Sequence, residues 1–221
     1  MGVNFIFRML LPLIVTIPFS CIYFQEKSDS IIYLTITRFH SVKRYYFSSM
    51  IVVFLTASFI ILIPLLLNIA LTSITFPHYS LRDFSNLTTA SAYYYEKSSE
   101  VYISIPYLFV NYPYLFNYLT AVKIALFAGF AGVFSYAFSY FIKRKRIFVY
   151  MSFFIVYHCM ELSSFWLSRY NINISLLSYL FIYDLEYPIK NNSVFLITSG
   201  VLVFSVICMV ILGQRKLKNI L

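Results

Sequence analysis

Residues 47–73 read FSSMIVVFLTASFIILIPLLLNIALTS, a long apolar run that contains no charged residue. The hydrocarbon core of a bilayer is about 30 Å thick, and a helix needs roughly 17–25 apolar residues to cross it. The run therefore predicts a membrane-spanning helix that is long enough to tilt. Pro64 lies inside it, and a proline kink is tolerated in such helices.

The composition of the whole chain agrees with this prediction. Hydrophobic residues make up 61% of the 221 residues and charged residues only 11%, whereas soluble domains average about 45–50% and about 25%. This balance excludes a water-soluble globule. The low charge and the 21% of aromatic residues also exclude a disordered chain, a collagen and a coiled coil. We therefore expect an all-α integral membrane protein.

Four further apolar runs accompany the first one. The five expected spans are residues 9–24, 47–73, 118–142, 147–167 and 194–213, in a single transmembrane domain covering residues 1–221. In the third span, small residues recur around Gly129 and Gly132, and such a face lets helices pack closely. No cleaved signal peptide is expected, because the N-terminal stretch has no clear small-x-small cleavage site.

Lysine and arginine residues predict the orientation of these spans. Residues 25–46, residues 143–146 and the C-terminal tail together hold eleven of them, whereas the alternate loops hold four. Cytoplasmic loops carry the excess of positive charge. We therefore expect these three segments in the cytoplasm, with the N-terminus and the loop formed by residues 74–117 outside the cell. A nucleic-acid site is a weaker interpretation of the same charge, because each basic block adjoins an apolar run.

A basic segment precedes the deciding run. Residues 31–46, IIYLTITRFHSVKRYY, are too polar to span the membrane, but their apolar residues recur near helical spacing. This pattern predicts an amphipathic helix at the cytoplasmic face of the membrane. Two interpretations remain open at this point: anchoring to the membrane surface, or docking of a cytoplasmic partner.

One ionisable pair lies deep in a predicted span. His158 and Glu161 are three residues apart in the fourth span and therefore share a helix face. Ionisable residues in membranes are costly and are candidates for function. A metal or catalytic pair of an intramembrane enzyme would need further ligands, which are scarce in the sequence. We therefore favour a satisfied hydrogen bond between helices, or a carboxylate near the outer end of the helix, with Lys123 as a candidate partner.

Residues 10–71 resemble the membrane subunits of ABC-2-type transporters from low-GC Gram-positive bacteria. In that family, a helix ending near a glutamate leads into a cytoplasmic amphipathic segment with a Thr-Arg pair, a serine and a tyrosine. The matching residues here are Glu26, Thr37, Arg38, Ser41, Lys43, Arg44 and Tyr45. The family usually has six spans, and the resemblance implies that the first predicted span here corresponds to the second span of the family. Ser30 also replaces a frequent glycine, and Met50 stands where a lysine is often found.

The resemblance implies a multi-pass permease subunit of an ATP-driven exporter in the cell membrane. A separate cytoplasmic ABC ATPase would bind ATP and magnesium, and a second membrane subunit, identical or not, would complete the pathway. Residues 31–46 would act as the coupling helix, with docking residues Thr37, Arg38, Phe39, His40, Lys43 and Arg44. The expected cargo is a peptide, such as a bacteriocin, or another amphipathic molecule.

This chain itself is not expected to be an enzyme. It has no phosphate-binding G-x-x-x-x-G-K-[ST] loop, and we assign it no catalytic residue, metal or cofactor. The alternative function is a stand-alone membrane immunity or assembly protein without ATP coupling.

Overall fold

The structure is a computed structural model that describes residues 2–20, 31–39, 41–75, 112–142, 146–167 and 192–220. Within these ranges the chain forms helices and no strand, which confirms the all-α fold class. The helices, in chain order, are α1 (Gly2–Ser20), α2 (Ile31–Phe39), α3 (Val42–Thr75), α4 (Pro113–Ser139), α5 (Arg146–Leu167) and α6 (Asn192–Ile220).

Two of these helices are long and apolar enough to cross a membrane. They are α3 over its full length and α4 from Tyr114 to Ser139. The most apolar stretch of α3 is only 22% buried, whereas that of α4 is 72% buried. An exposed apolar surface as long as that of α3 is unfavourable in water. The exposed surface of α3 therefore agrees with contact to lipid.

The other expected spans hold shorter apolar stretches. These stretches are Met9–Pro18 in α1, Ile147–Ser163 in α5 and Val203–Arg215 in α6. In α1, Pro12 and Pro18 lie within the helix. Residues 21–24, the end of the first predicted span, lie outside the described residues. The five-span arrangement therefore stays a prediction.

The structure corrects the prediction of one amphipathic helix over residues 31–46. The segment forms two helices, because α2 ends at Phe39 and α3 begins at Val42. Ser41 is not helical, and its carbonyl accepts a 3.1 Å hydrogen bond from the Tyr45 N–H. Serine is a preferred residue at this position before a helix. Lys43 and Arg44 therefore belong to the first turn of α3.

Two other predicted boundaries also differ. The long loop predicted over residues 74–117 is helical at both of its ends, because α3 continues to Thr75 and α4 begins at Pro113. Residues 76–111 lie outside the described residues. The last helix continues past Gly213 to Ile220 and includes the basic tail.

The chain divides into two compact units. The first comprises Met1–Ile61, Ala125–Cys159 and Ser199–Leu221. The second comprises Leu62–Ile124 and Met160–Thr198. In the second unit, the described hydrogen bonds of the α3 and α4 side chains lie within single helices. An example is the Thr120 hydroxyl, which donates to the Phe116 carbonyl at 2.9 Å.

Aromatic side chains form much of the core of the first unit. Phe153 of α5 is 1% exposed and packs edge-on against two rings of α4, Phe127 at 5.6 Å and Phe134 at 5.5 Å between centroids. On α1, the buried Thr16 hydroxyl lies 3.0 Å from the Tyr150 carbonyl, to which it can donate. These contacts hold α1, α4 and α5 together.

Helices α3 and α4 lie close together at Gly129. A Cβ atom built there would lie 2.5 Å from Ser58 Oγ and 2.6 Å from the Phe54 ring. Ala128 and Ala131 on either side of it are fully buried. The packing role predicted for the small-residue face of this span is therefore confirmed.

Candidate docking surface

The predicted docking residues lie around the break between α2 and α3. Thr37, Arg38 and Phe39 are the last residues of α2, and Lys43 and Arg44 lie in the first turn of α3. All five side chains are exposed. We call these five residues the docking surface. His40, the sixth predicted member, lies outside the described residues.

Local contacts fix the two halves of the docking surface. The Thr37 hydroxyl donates a 2.7 Å hydrogen bond to the Leu34 carbonyl in the preceding turn of α2. The Phe39 ring meets the Tyr45 ring edge-on, with centroids 6.3 Å apart. Tyr45 belongs to α3 and is 1% exposed. The Phe39–Tyr45 contact therefore ties the end of α2 to the start of α3.

The exposed pair Lys43 and Arg44 is followed at once by the buried pair Tyr45 and Tyr46. Both tyrosines are at most 1% exposed. Successive residues of a helix point in different directions around its axis, so one side of the first turn faces outward and the other faces the core. The exposed cations of α3 are therefore followed directly by two buried tyrosines, Tyr45 and Tyr46, which we call the aromatic base.

Tyr46 is the centre of this base. Its hydroxyl donates a 2.9 Å hydrogen bond to the Val210 carbonyl of α6. Its ring lies 6.5 Å from the Tyr136 ring and 5.3 Å from the Tyr140 ring, centroid to centroid. The Tyr140 hydroxyl in turn donates to the Tyr136 hydroxyl at 2.6 Å. We call Tyr46, Tyr136 and Tyr140 the tyrosine cluster.

Three segments of the chain meet at the tyrosine cluster, and each of them adjoins basic residues in the sequence. Tyr46 follows the basic pair of α3, and Tyr136 and Tyr140 lie shortly before the basic residues 143–146. The third segment is the end of α6, where Gly213 contacts Tyr46 and precedes the exposed Arg215. The orientation predicted from charge places the three basic blocks on one side of the membrane, and it stays a prediction. Residues 143–145 lie outside the described residues.

The sequence interpretation did not identify Tyr46 or Gly213 as part of this site. The only local signals are the tyrosine pair directly after the basic pair of α3 and a glycine directly before the basic tail. Neither signal shows that the two positions meet, because 164 residues separate Tyr46 from its hydrogen-bond partner Val210.

The predicted intramembrane pair lies on α5. His158 and Glu161 are both half-buried. The His158 ring stacks on the Phe154 ring at 4.0 Å, and its Nδ1 lies 3.1 Å from the Phe154 carbonyl, to which a proton on Nδ1 would be donated. These contacts lie within one helix. In the part of the chain that the structure describes, no group of three or more metal-binding side chains surrounds this pair.

Comparison with known proteins finds no matching family model, no matching curated protein and no matching solved structure. The function is therefore argued from the geometry of the docking surface and from the apolar helices that carry it.

Proposed function

We propose that the protein is a multi-pass permease subunit of an ABC-2-like exporter, driven by a separate ATPase that binds the docking surface from the cytoplasm. The observation that carries this proposal is the position of Arg38, Lys43 and Arg44. Arg38 is exposed near the end of α2, and Lys43 and Arg44 are exposed in the first turn of the apolar helix α3. The two residues that follow this pair, Tyr45 and Tyr46, are buried.

The chemistry of the docking surface suits a protein partner. Arginine and aromatic residues are enriched at the centres of protein interfaces, and here Arg38 stands beside Phe39, which is 37% exposed. On the same short helix, Leu34 is 66% exposed and adds an apolar contact. A partner with an acidic and partly apolar groove would complement this combination.

The membrane-spanning part supports the same proposal. Helix α3 continues from the docking surface as an apolar helix with a largely exposed surface, which we assign to lipid and to a second membrane subunit. The sequence carries no phosphate-binding loop, so transport would need energy from another chain. With the predicted five spans, the subunit would form half of the pathway, and the ATPase would supply ATP and magnesium.

The test is a pull-down of the tagged protein from its native membranes in a mild detergent, followed by mass spectrometry. The test variant combines Arg38→Glu, Lys43→Glu and Arg44→Glu. The matched control combines Arg215→Glu, Lys216→Glu and Lys218→Glu, which reverses the same amount of charge in the C-terminal tail. We expect the wild type and the control to retain a P-loop ATPase and the test variant to lose it.

A second readout separates docking from membrane insertion, because positive residues also set topology. The accessibility of a C-terminal tag in sealed vesicles reports the orientation of each variant. Loss of the ATPase with unchanged orientation supports docking. A wild-type protein that is recovered without any ATPase contradicts the proposal and favours the stand-alone membrane protein.

A further inference from the structure

Tyr46 connects the docking surface to two other helices. It lies on the first turns of α3, two residues after Arg44, and its side chain is fully buried. The hydroxyl donates to the Val210 carbonyl of α6 at 2.9 Å, and the ring packs against Tyr136 and Tyr140 near the end of α4. One side chain therefore joins α3, α4 and α6 directly beneath the exposed cations.

The fit around the Tyr46 hydroxyl is tight. A Cβ atom at Gly213 would overlap this hydroxyl and would lie 3.1 Å from the Ala137 carbonyl of α4. Gly213 thus provides the space in which the hydroxyl reaches the backbone of α6. Because α6 contacts Tyr46 through its main chain, a shift of Tyr46 acts on the helix itself rather than on a flexible side chain.

We propose that Tyr46 is the positioning residue that passes a displacement of the docking surface to α4 and α6. The inference rests on the proposed function, because the displacement would come from the docked ATPase. The first turn of α3 and the end of α2 are in contact through the Phe39 and Tyr45 rings. If that turn moves, Tyr46 either carries α6 with it or leaves a buried hydroxyl without its partner, and the second course is unfavourable.

Tyr140 offers a matched control for this role. Its hydroxyl donates to Tyr136, four residues earlier on the same chain segment, so this bond does not join two helices. Tyr140→Phe and Tyr46→Phe each remove one buried hydroxyl from the tyrosine cluster and keep the ring. Only Tyr46→Phe removes the hydrogen bond between α3 and α6.

The experiment follows the end of α6 in the ATPase complex purified in detergent. The parent protein for this experiment carries Arg215→Cys, and its native cysteines, Cys21, Cys159 and Cys208, are replaced by serine. The rate at which the new cysteine reacts with a polar maleimide is measured without nucleotide and with ATP plus vanadate. We expect nucleotide to change this rate about fivefold or more in the parent and in Tyr140→Phe, and less than about twofold in Tyr46→Phe.

The outcomes separate the inference from the function on which it rests. Failure to recover an ATPase with the parent contradicts the proposed function. If the ATPase is recovered equally with all three proteins, and nucleotide changes the rate in Tyr46→Phe as much as in the parent, Tyr46 is not the connection. An unchanged rate in the parent also overturns the inference, because the end of α6 then does not respond to the ATPase.

Discussion

Replacing Gly213 by alanine is expected to destabilise the protein through two close contacts of the added Cβ atom. The added Cβ would overlap the Tyr46 hydroxyl and lie 3.1 Å from the Ala137 carbonyl. Overpacking of this kind typically costs about 1–3 kcal/mol. Alanine in a helix interior is more stable than glycine by about 0.5–1 kcal/mol. The cost of the overlap is therefore the difference between the stability change of Gly213→Ala and that of the same substitution at an uncrowded glycine.

Gly200 on the same helix is that reference. A Cβ atom there meets nothing within 4 Å, so Gly200→Ala is expected to be neutral or stabilising by up to about 1 kcal/mol. We expect Gly213→Ala to be less stable than Gly200→Ala by about 1–3 kcal/mol. The assay is reversible unfolding of the purified protein in mixed micelles, with each variant measured under identical detergent conditions.

The double variant identifies the atom that is responsible. Tyr46→Phe alone loses the hydrogen bond to Val210 and is expected to cost about 0.5–1.5 kcal/mol. Without the hydroxyl, the nearest atom of the ring, Cζ, lies 3.5 Å from the added Cβ. The contact with the Ala137 carbonyl remains, so the double variant should recover the part of the Gly213→Ala cost that comes from the hydroxyl, with an interaction energy of about 0.5–3 kcal/mol. Additive effects, or a Gly213→Ala protein as stable as Gly200→Ala, would refute the reasoning.

Three further substitutions give predictions, two for stability and one for assembly and activity. Gly129→Ala is expected to destabilise by about 1–3 kcal/mol, because its Cβ would lie 2.5 Å from Ser58 Oγ and 2.6 Å from the Phe54 ring. Ser58→Ala should be neutral or stabilising by up to about 1 kcal/mol, since the buried Ser58 Oγ has no hydrogen-bond partner among the described residues; the same unfolding assay checks both, and a clear loss of stability in Ser58→Ala would contradict the second. Glu161→Gln should leave membrane insertion and complex assembly intact, as measured by tag accessibility and by pull-down, and loss of an activity in an assembled complex would show that Glu161 has a functional role.

The all-α class follows from the sequence because hydropathy is a local property. The apolar run over residues 47–73 can be assigned to a helix without information about its tertiary contacts, and α3 includes all of it. The exposed cations of the docking surface are accessible to sequence analysis for the same reason, since a basic block beside an apolar run has few other places to lie.

The break at Ser41 was not predicted, because the helical spacing of apolar residues continues across it. A helix start is decided by one residue and its backbone hydrogen bonds, which an averaged pattern does not register. The predicted fifth span ends at Gly213, where the apolar run ends, whereas the helix continues to Ile220. The structure shows that this glycine instead makes room for Tyr46 inside the helix.

The role of Tyr46 depends on contacts that no local pattern contains. Its partners Val210 and Gly213 lie at the other end of the chain, and its ring contacts are Tyr136 in α4 and Tyr140 directly after α4. Sequence analysis finds the charges that face outward, whereas the side chain that connects them to the rest of the first unit is visible only after folding.

The stoichiometry of the complex purified from native membranes tests the central claim most directly. The wild-type protein, isolated in a mild detergent and analysed by quantitative mass spectrometry, is expected to carry a P-loop ATPase in near-equimolar amount. Reversal of Arg38, Lys43 and Arg44 should remove the ATPase without changing the orientation of the chain. Recovery of the wild-type protein in intact form but without an ATPase would contradict the account.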